Sequence, residues 1–261
     1  KEVEDPFFSI VVEQIYEKLR NTECILTELN NWRKPSDICL ADNEEFKELI
    51  DNRDLLRFSD MEYISSKIVI NDQERFSEIL SNLGCKEVGI RDLFNWLTNT
   101  DWLKQRKDRW FIQLYTYISK QYLTEEELEE LKQLKIIKLE NNRLKAISDG
   151  TVFFPLDNKN DDYGFEKEMP LVKKSIIKEA DNKVRKFLKE LGIVEPSPYE
   201  IIEKYVLTFC REKRNSINLN KDKKNLLGYI RYIKDNLEAY EKESEKKLNT
   251  SYSEKKILFV N

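Results

Sequence analysis

The chain of 261 residues contains no histidine. That absence removes the Ser-His-Asp and Cys-His nucleophile arrangements, so acid or base work would fall to carboxylates, lysine or tyrosine. It also leaves the four cysteines, Cys24, Cys39, Cys85 and Cys210, with no partner for a zinc shell, and none of them is spaced as Cys-x-x-Cys. They read as buried free thiols, with a redox-sensitive Cys24–Cys39 bridge across the first hairpin as the lesser alternative. Only six glycines occur, Gly84, Gly89, Gly150, Gly164, Gly192 and Gly228. Scattered in this way they build neither a phosphate-cradling P-loop nor a dinucleotide-binding turn. The longest nearly unbroken apolar run, Phe7 to Val12, is interrupted by Ser9 and is too short for a membrane span or a signal core. A marked excess of either charge is missing as well. Forty-nine acidic residues face forty-five basic ones, and the two signs alternate, so nothing recruits a phosphate backbone strongly. The chain reads as soluble and cytoplasmic, with no catalytic constellation, no cofactor site and no metal site.

What is present is an order of elements that recurs. With 40% apolar residues the chain can bury a real core, in one large or two modest domains. Ile79 to Glu87 lies over Phe187 to Glu195 with both leucines, the glycine and the glutamate coincident, 108 residues apart. Ile25, Glu28, Asn30, Arg33 and Ser36-Asp37 lie over Ile137, Glu140, Asn142, Lys145 and Ser148-Asp149 at an offset of 112. Phe111, Leu114, Tyr117 and Ile118 fall over Leu226, Tyr229, Tyr232 and Ile233 at 115, and Ile136-Ile137 over Ile257-Leu258 at 121. A slow drift of offset is what loop insertions produce.

The expected fold is therefore α+β and predominantly helical, a tandem repeat of a β-hairpin followed by several helices. The implied divisions are 1–23, the closing helix of a preceding repeat; 24–135, the first unit; 136–256, the second; and 257–261, the start of a truncated third. Opening on Lys1 with incomplete copies at both ends, the chain reads as a piece excised from a longer polypeptide.

Local signals fill in the elements. Asp5-Pro6 opens a helix with Phe8, Val11, Val12, Ile15 and Leu19 at three- and four-residue steps. Cys24 to Leu29 and Trp32 to Leu40 form a ribbon turning at Asn30-Asn31. Glu44 to Ile50 is a short helix and Lys67 to Ile70 a candidate strand. Gln73 to Leu83 is a helix burying Phe76, Ile79, Leu80 and Leu83, closed by Gly84 in the left-handed conformation. A further helix buries Ile90, Leu93, Phe94 and Leu97, another runs from about Lys107 to Gln121, and Thr124 with Glu127 forms a capping box for a third. In the second unit a ribbon spans Lys135 to Phe154, Leu156 to Met169 is a loop, and one long helix ends at Gly192. Ser197 then caps a helix near Tyr199 to Arg211, and Lys223 to Lys242 is the last helix.

Two groups invite a functional reading. Asp157, Asn158, Asn160, Asp161, Asp162 and Gly164 offer oxygen ligands for calcium. Counting from Asn158, however, Tyr163 stands where the EF-hand glycine belongs and Met169 where the bidentate glutamate belongs, so a solvated loop is the better reading. Lys104, Arg106, Lys107 and Arg109 beside Trp102 and Trp110 form the one basic cluster with aromatic neighbours, a candidate contact for a partner or a nucleic-acid strand. The plainer reading keeps the tryptophans in the core and the charges in solvent. Basic residues near a helix start also oppose the macrodipole, which hints at an anionic or protein partner.

The ribbon with Ser36-Asp37 or Ser148-Asp149, the helix ending Leu83-Gly84 or Leu191-Gly192, and the aromatic helix with Trp110, Leu114, Tyr115 and Tyr117 resemble the repeat region of sacsin-like proteins. That group includes sacsin, the plant NO VEIN proteins and bacterial relatives, in which a GHKL-type ATPase domain precedes such material. Asp149-Gly150-Thr151 lacks the second glycine of the family's ATPase loop. The resemblance thus implies a non-catalytic scaffold or partner-binding segment, chaperone-like or defence-associated, with protein partners that include the rest of its own chain. The alternatives are a nucleic-acid-associated segment of a restriction or antiviral ATPase, touching its strand through Lys104, Arg106, Lys107, Arg109 and Trp102, and an independent enzyme using carboxylates such as Asp161 and Asp162.

Overall fold

A computed structural model describes residues 6–68, 73–156, 163, 169–208 and 219–257, and of 6–8, 73–74, 219–225 and 248–257 the backbone only. It is α+β and predominantly helical, with small sheets. The chain divides into two compact units, one of residues 1–99 and 113–121 and the other of 100–112 and 122–261.

The first unit opens on α1 (Pro6–Arg20) and a two-stranded antiparallel ribbon, β1 (Ile25–Leu26) and β2 (Trp32–Arg33). The ribbon turns because Asn30 adopts φ 60°, a left-handed conformation that asparagine tolerates. The chain does not continue as a ribbon strand to Leu40. A single 3₁₀ turn at Pro35–Asp37 breaks it, and β3 (Ile38–Ala41) becomes the centre of a separate parallel sheet. Its neighbours are β4 (Glu62–Tyr63) and β5 (Lys86–Val88), with Cys39 opposite both Tyr63 and Lys86.

Between β3 and β4 run α2 (Glu44–Leu49), capped by the Asn43 side chain accepting from the Phe46 N–H, and α3 (Asn52–Ser59), capped by Asp51. The expected strand at Lys67 to Ile70 lies instead at β4. Lys67 is in a turn, and 69–70 fall outside the described residues. Helix α4 (Gln73–Leu83) buries Leu80 and Leu83, but Ile79 is exposed, because only one stripe of this helix meets the Ile25, Ile38 and Cys85 core. Ile15 of α1 is likewise exposed. Phe46 packs edge-on against Tyr117 and tilted against Trp96, linking α2 to α5 (Ile90–Leu97).

The second unit contains α6 (Thr100–Lys104), the start of α7 (Asp108–Ile118), and α8 (Glu125–Gln133) with the Thr124–Glu127 capping box in place. Next come β6 (Ile137–Lys138) and β7 (Leu144–Lys145), which repeat the register of the first ribbon. Ile25 faces Arg33 as Ile137 faces Lys145, and Asn142 takes φ 62° where Asn30 takes 60°. The correspondence extends outward. The Glu28 N–H donates to the Tyr63 carbonyl at 3.0 Å and the Glu140 N–H to the Leu171 carbonyl at 3.0 Å. Phe153 bridges Leu171 and Val194 in parallel, as Cys39 pairs with Tyr63 and Lys86.

Where the sequence suggests one long helix ending at Gly192 there are two, α9 (Lys174–Glu179) and α10 (Asn182–Leu191). Asp181 separates them because its carboxylate accepts from the Val184 N–H and starts a new helix. Gly192 closes α10 at φ 115° with the Ile193 N–H bonded to the Leu188 carbonyl, and Gly84 closes α4 at φ 93° with Cys85 bonded to Leu80.

Ser197 caps α11 (Pro198–Ile201), which passes directly into a π-helical turn at Ile202–Val206. The last helix, α12 (Leu219–Ile257), starts earlier and runs further than Lys223 to Lys242. Ile257, expected to open a third ribbon, is helical, and 258–261 fall outside the described residues. The core of this unit gathers Phe153, Met169, Leu171, Ile201, Val206 and Tyr229. Tyr163, expected in a solvated loop, is 8% exposed and belongs to that core. The remaining oxygen donors of the calcium-like segment, 157–162 and 164, lie outside the described residues.

Candidate functional site

The basic cluster is held by two short helices. Trp102 on α6 is 1% exposed and meets Trp110 edge to face at 5.1 Å, because both rings fill the same interior. That removes Trp102 from the set of surface contacts, since a base has no exposed ring face to stack on. Arg106 lays its guanidinium over both rings, 4.4 Å from Trp102 and 5.4 Å from Trp110. Lys104 bonds Asp101 at 2.9 Å, while Lys107 and Arg109 are exposed. The opposition to a helix dipole narrows to Lys107 and Arg109, which stand just before and within the first turn of α7. Lys104 lies in the last turn of α6, where a cation suits the dipole, and α7 opens on Asp108.

A polar node that the sequence does not announce lies around Asp108. Asp108 accepts from Lys138 at 2.9 Å, from Lys173 at 2.8 Å and from Ser175 at 2.8 Å. Lys138 is 7% exposed, also donates to the Arg106 carbonyl at 2.8 Å, and sits 4.9 Å over the Phe111 ring. Lys173 donates in addition to Asn142 Oδ1 at 2.6 Å, tying the node to the left-handed turn of the second ribbon. Burial alone would raise the Asp108 carboxyl, but hydrogen bonds from Lys173, Lys138 and Ser175 and the charge of Lys138 hold it down at about 2. Both carboxylate oxygens are therefore committed, and the node fastens elements together instead of presenting a base or a nucleophile. The signal was Lys138 itself, a lysine inside the apolar run Ile136-Ile137-Lys138-Leu139.

The first unit fastens its ribbon with a different carboxylate. Glu62, 1% exposed, accepts from Thr27 Oγ at 2.5 Å, Asn31 Nδ2 at 3.2 Å and Arg33 Nε at 2.9 Å. Burial opposes its ionisation, yet the bonds from Thr27, Arg33 and Asn31 outweigh it and keep the carboxyl below its usual range.

Thiols add no chemistry here. Cys24 and Cys39 do not face one another across the ribbon, because Cys39 leaves it for the parallel sheet while Cys24 packs with Cys85. Cys24, Cys39 and Cys85 are all free thiols, and burial pushes Cys39 up to about 12 and Cys85 up to about 11. Cys210 lies outside the described residues. Among the described residues no group of histidine, cysteine or carboxylate side chains is arranged to hold a metal ion, and no helix is long and apolar enough to cross a membrane. No family model, curated protein or solved structure matches the chain.

Proposed function

We propose that the chain is a non-catalytic scaffold segment that presents surface to protein partners, within a large sacsin-like protein carrying a GHKL-type ATPase domain elsewhere. The observation that carries the reading is the shared register of the two ribbon-and-sheet arrangements, from Ile25–Arg33 and Ile137–Lys145 out to Cys39 and Phe153. Repeated packing units bury their ribbons and helices against neighbours and leave extended faces for binding. The polar nodes agree, since the Asp108 and Glu62 carboxylates are spent on holding strands and helices together. Exposed apolar side chains on the first ribbon, Leu29 and Trp32, supply the kind of surface a protein partner uses. Chaperone-like work or bacterial defence would both use such a segment.

Calorimetric titration with ATP and magnesium tests the non-catalytic reading. No saturable heat is expected, and tight binding refutes it. A parallel gel-shift titration with single- and double-stranded nucleic acid at low salt is expected to show no complex. A salt-dependent complex abolished by replacing Lys104, Lys107 and Arg109 with alanine would install the nucleic-acid reading in its place.

A further inference from the structure

One cavity of the second unit is built in a way that the scaffold reading does not use. It has a volume of about 190 Å³ and is lined by the apolar Phe154, Pro155, Leu156 and Ile177, by the cations Lys174, Lys178 and Arg185, and by Glu195. The apolar wall is firm, Phe154 being 1% and Ile177 3% exposed. Among the described residues, none of the three cations has an ion-pair partner. Glu195, which also lines the cavity, pairs with Lys189 at 3.3 Å, and Glu140 accepts from the Lys174 backbone N–H at 2.8 Å.

The cations are also placed against their own helix. Lys174 and Lys178 are four residues apart on α9, an arrangement of like charges that weakens a helix. Lys174 is its first residue, and the Glu140 carboxylate meets the helix start through the Lys174 backbone N–H. Arg185 comes from α10, half-buried, and brings a planar donor fork to the same space. Three positive groups from two helices thus line one cavity against a single carboxylate, Glu195, a charge balance that favours an anion.

We propose that this cavity binds a small organic phosphate. Its phosphoryl oxygens are held by Lys174, Lys178 and Arg185, and its apolar group lies against Phe154 and Ile177. Phosphate suits the donor set, since an arginine fork takes two oxygens and two ammonium groups satisfy the rest. A volume of about 190 Å³ leaves room for a phosphoryl group and one ring.

The test is a calorimetric or NMR titration of the full chain with phenyl phosphate, with phenol and inorganic phosphate as comparison probes. Phenyl phosphate is expected to bind saturably at one site, more tightly than inorganic phosphate, and phenol not at all. Lys178→Ala and Arg185→Ala should each weaken it by about tenfold. Lys186→Ala, on α10 but paired with Glu190, should leave it unchanged. The replaced residues are not in the core, and an unchanged thermal melt shows that each variant is folded. Absence of saturation by about 10 mM, or equal affinity in the Lys178 and Arg185 variants, or equal binding of phenol, would overturn the proposal.

Discussion

Tyr63 carries a hydroxyl with no hydrogen-bond partner among the described residues, on a side chain only 2% exposed. Burial pushes that hydroxyl far above its ordinary ionisation range, and its ring serves instead as a surface for the Lys47 ammonium 5.7 Å away. Removing the oxygen deletes an unsatisfied polar atom without opening a cavity of any size. Tyr63→Phe should therefore raise the urea midpoint, by about 1 kcal/mol of stability, with an unchanged slope; a loss of that size would show that the hydroxyl has a partner. The opposite sign is expected at Gly228. In an ordinary helix interior, Gly→Ala gains about 1 kcal/mol. A Cβ at Gly228, however, would stand 2.2 Å from the carbonyl oxygen of Tyr163, a backbone atom that cannot rotate aside. Gly228→Ala should destabilise the protein by about 2 kcal/mol, measured by the same titration. If it stabilises, α12 does not approach Tyr163 as described.

At the scale of elements, the Asp108 node sets a pH dependence. Its carboxyl is held at about 2 in the folded protein, against an unfolded value of about 4. A depressed carboxyl contributes stability that is fully present above the unfolded value and is lost as pH falls from about 4 through about 2, on the order of 2 kcal/mol in all. Asp108→Asn should lower stability at neutral pH and flatten the acid limb of the stability curve between those values. An acid limb as steep as the parent's would mean that other carboxylates carry it. The ribbons, their asparagine turns and the helix-ending glycines were legible in the sequence, because each depends on contacts a few residues apart. The parallel sheet was not, since strands of two to four residues carry too little alternation to read and their partners lie over twenty residues away. The break at Asp181 was hidden because an aspartate within a helical pattern looks like a surface position until its side chain is seen capping Val184. The partners of Lys138 and Lys173 were unreadable for the same reason as the sheet. Asp108 is thirty and sixty-five residues away from them in the chain.

For the whole molecule, the distribution of buried side chains predicts how the protein opens. Ile25, Ile38, Leu80 and Cys85 cluster within the first unit, while Phe153, Leu171, Ile201, Ile202 and Tyr229 cluster within the second. Contiguous cores of this kind behave as separate cooperative units in amide exchange, because opening one exposes only its own hydrogen-bonded ladder. Leu80→Ala removes a side chain 3% exposed and should cost about 2–5 kcal/mol; Ile201→Ala removes one that is fully buried and should cost a similar amount. Mass-resolved exchange should then show the amides at 25–41, 62–65 and 86–88 accelerated by Leu80→Ala while those at 169–172 and 201–206 keep their rates, with the pattern reversed for Ile201→Ala. Acceleration of both sets by either substitution would mean that the chain opens as one body. The matched ribbons would then be parts of a single cooperative fold, coupled as stacked repeats are through their shared packing.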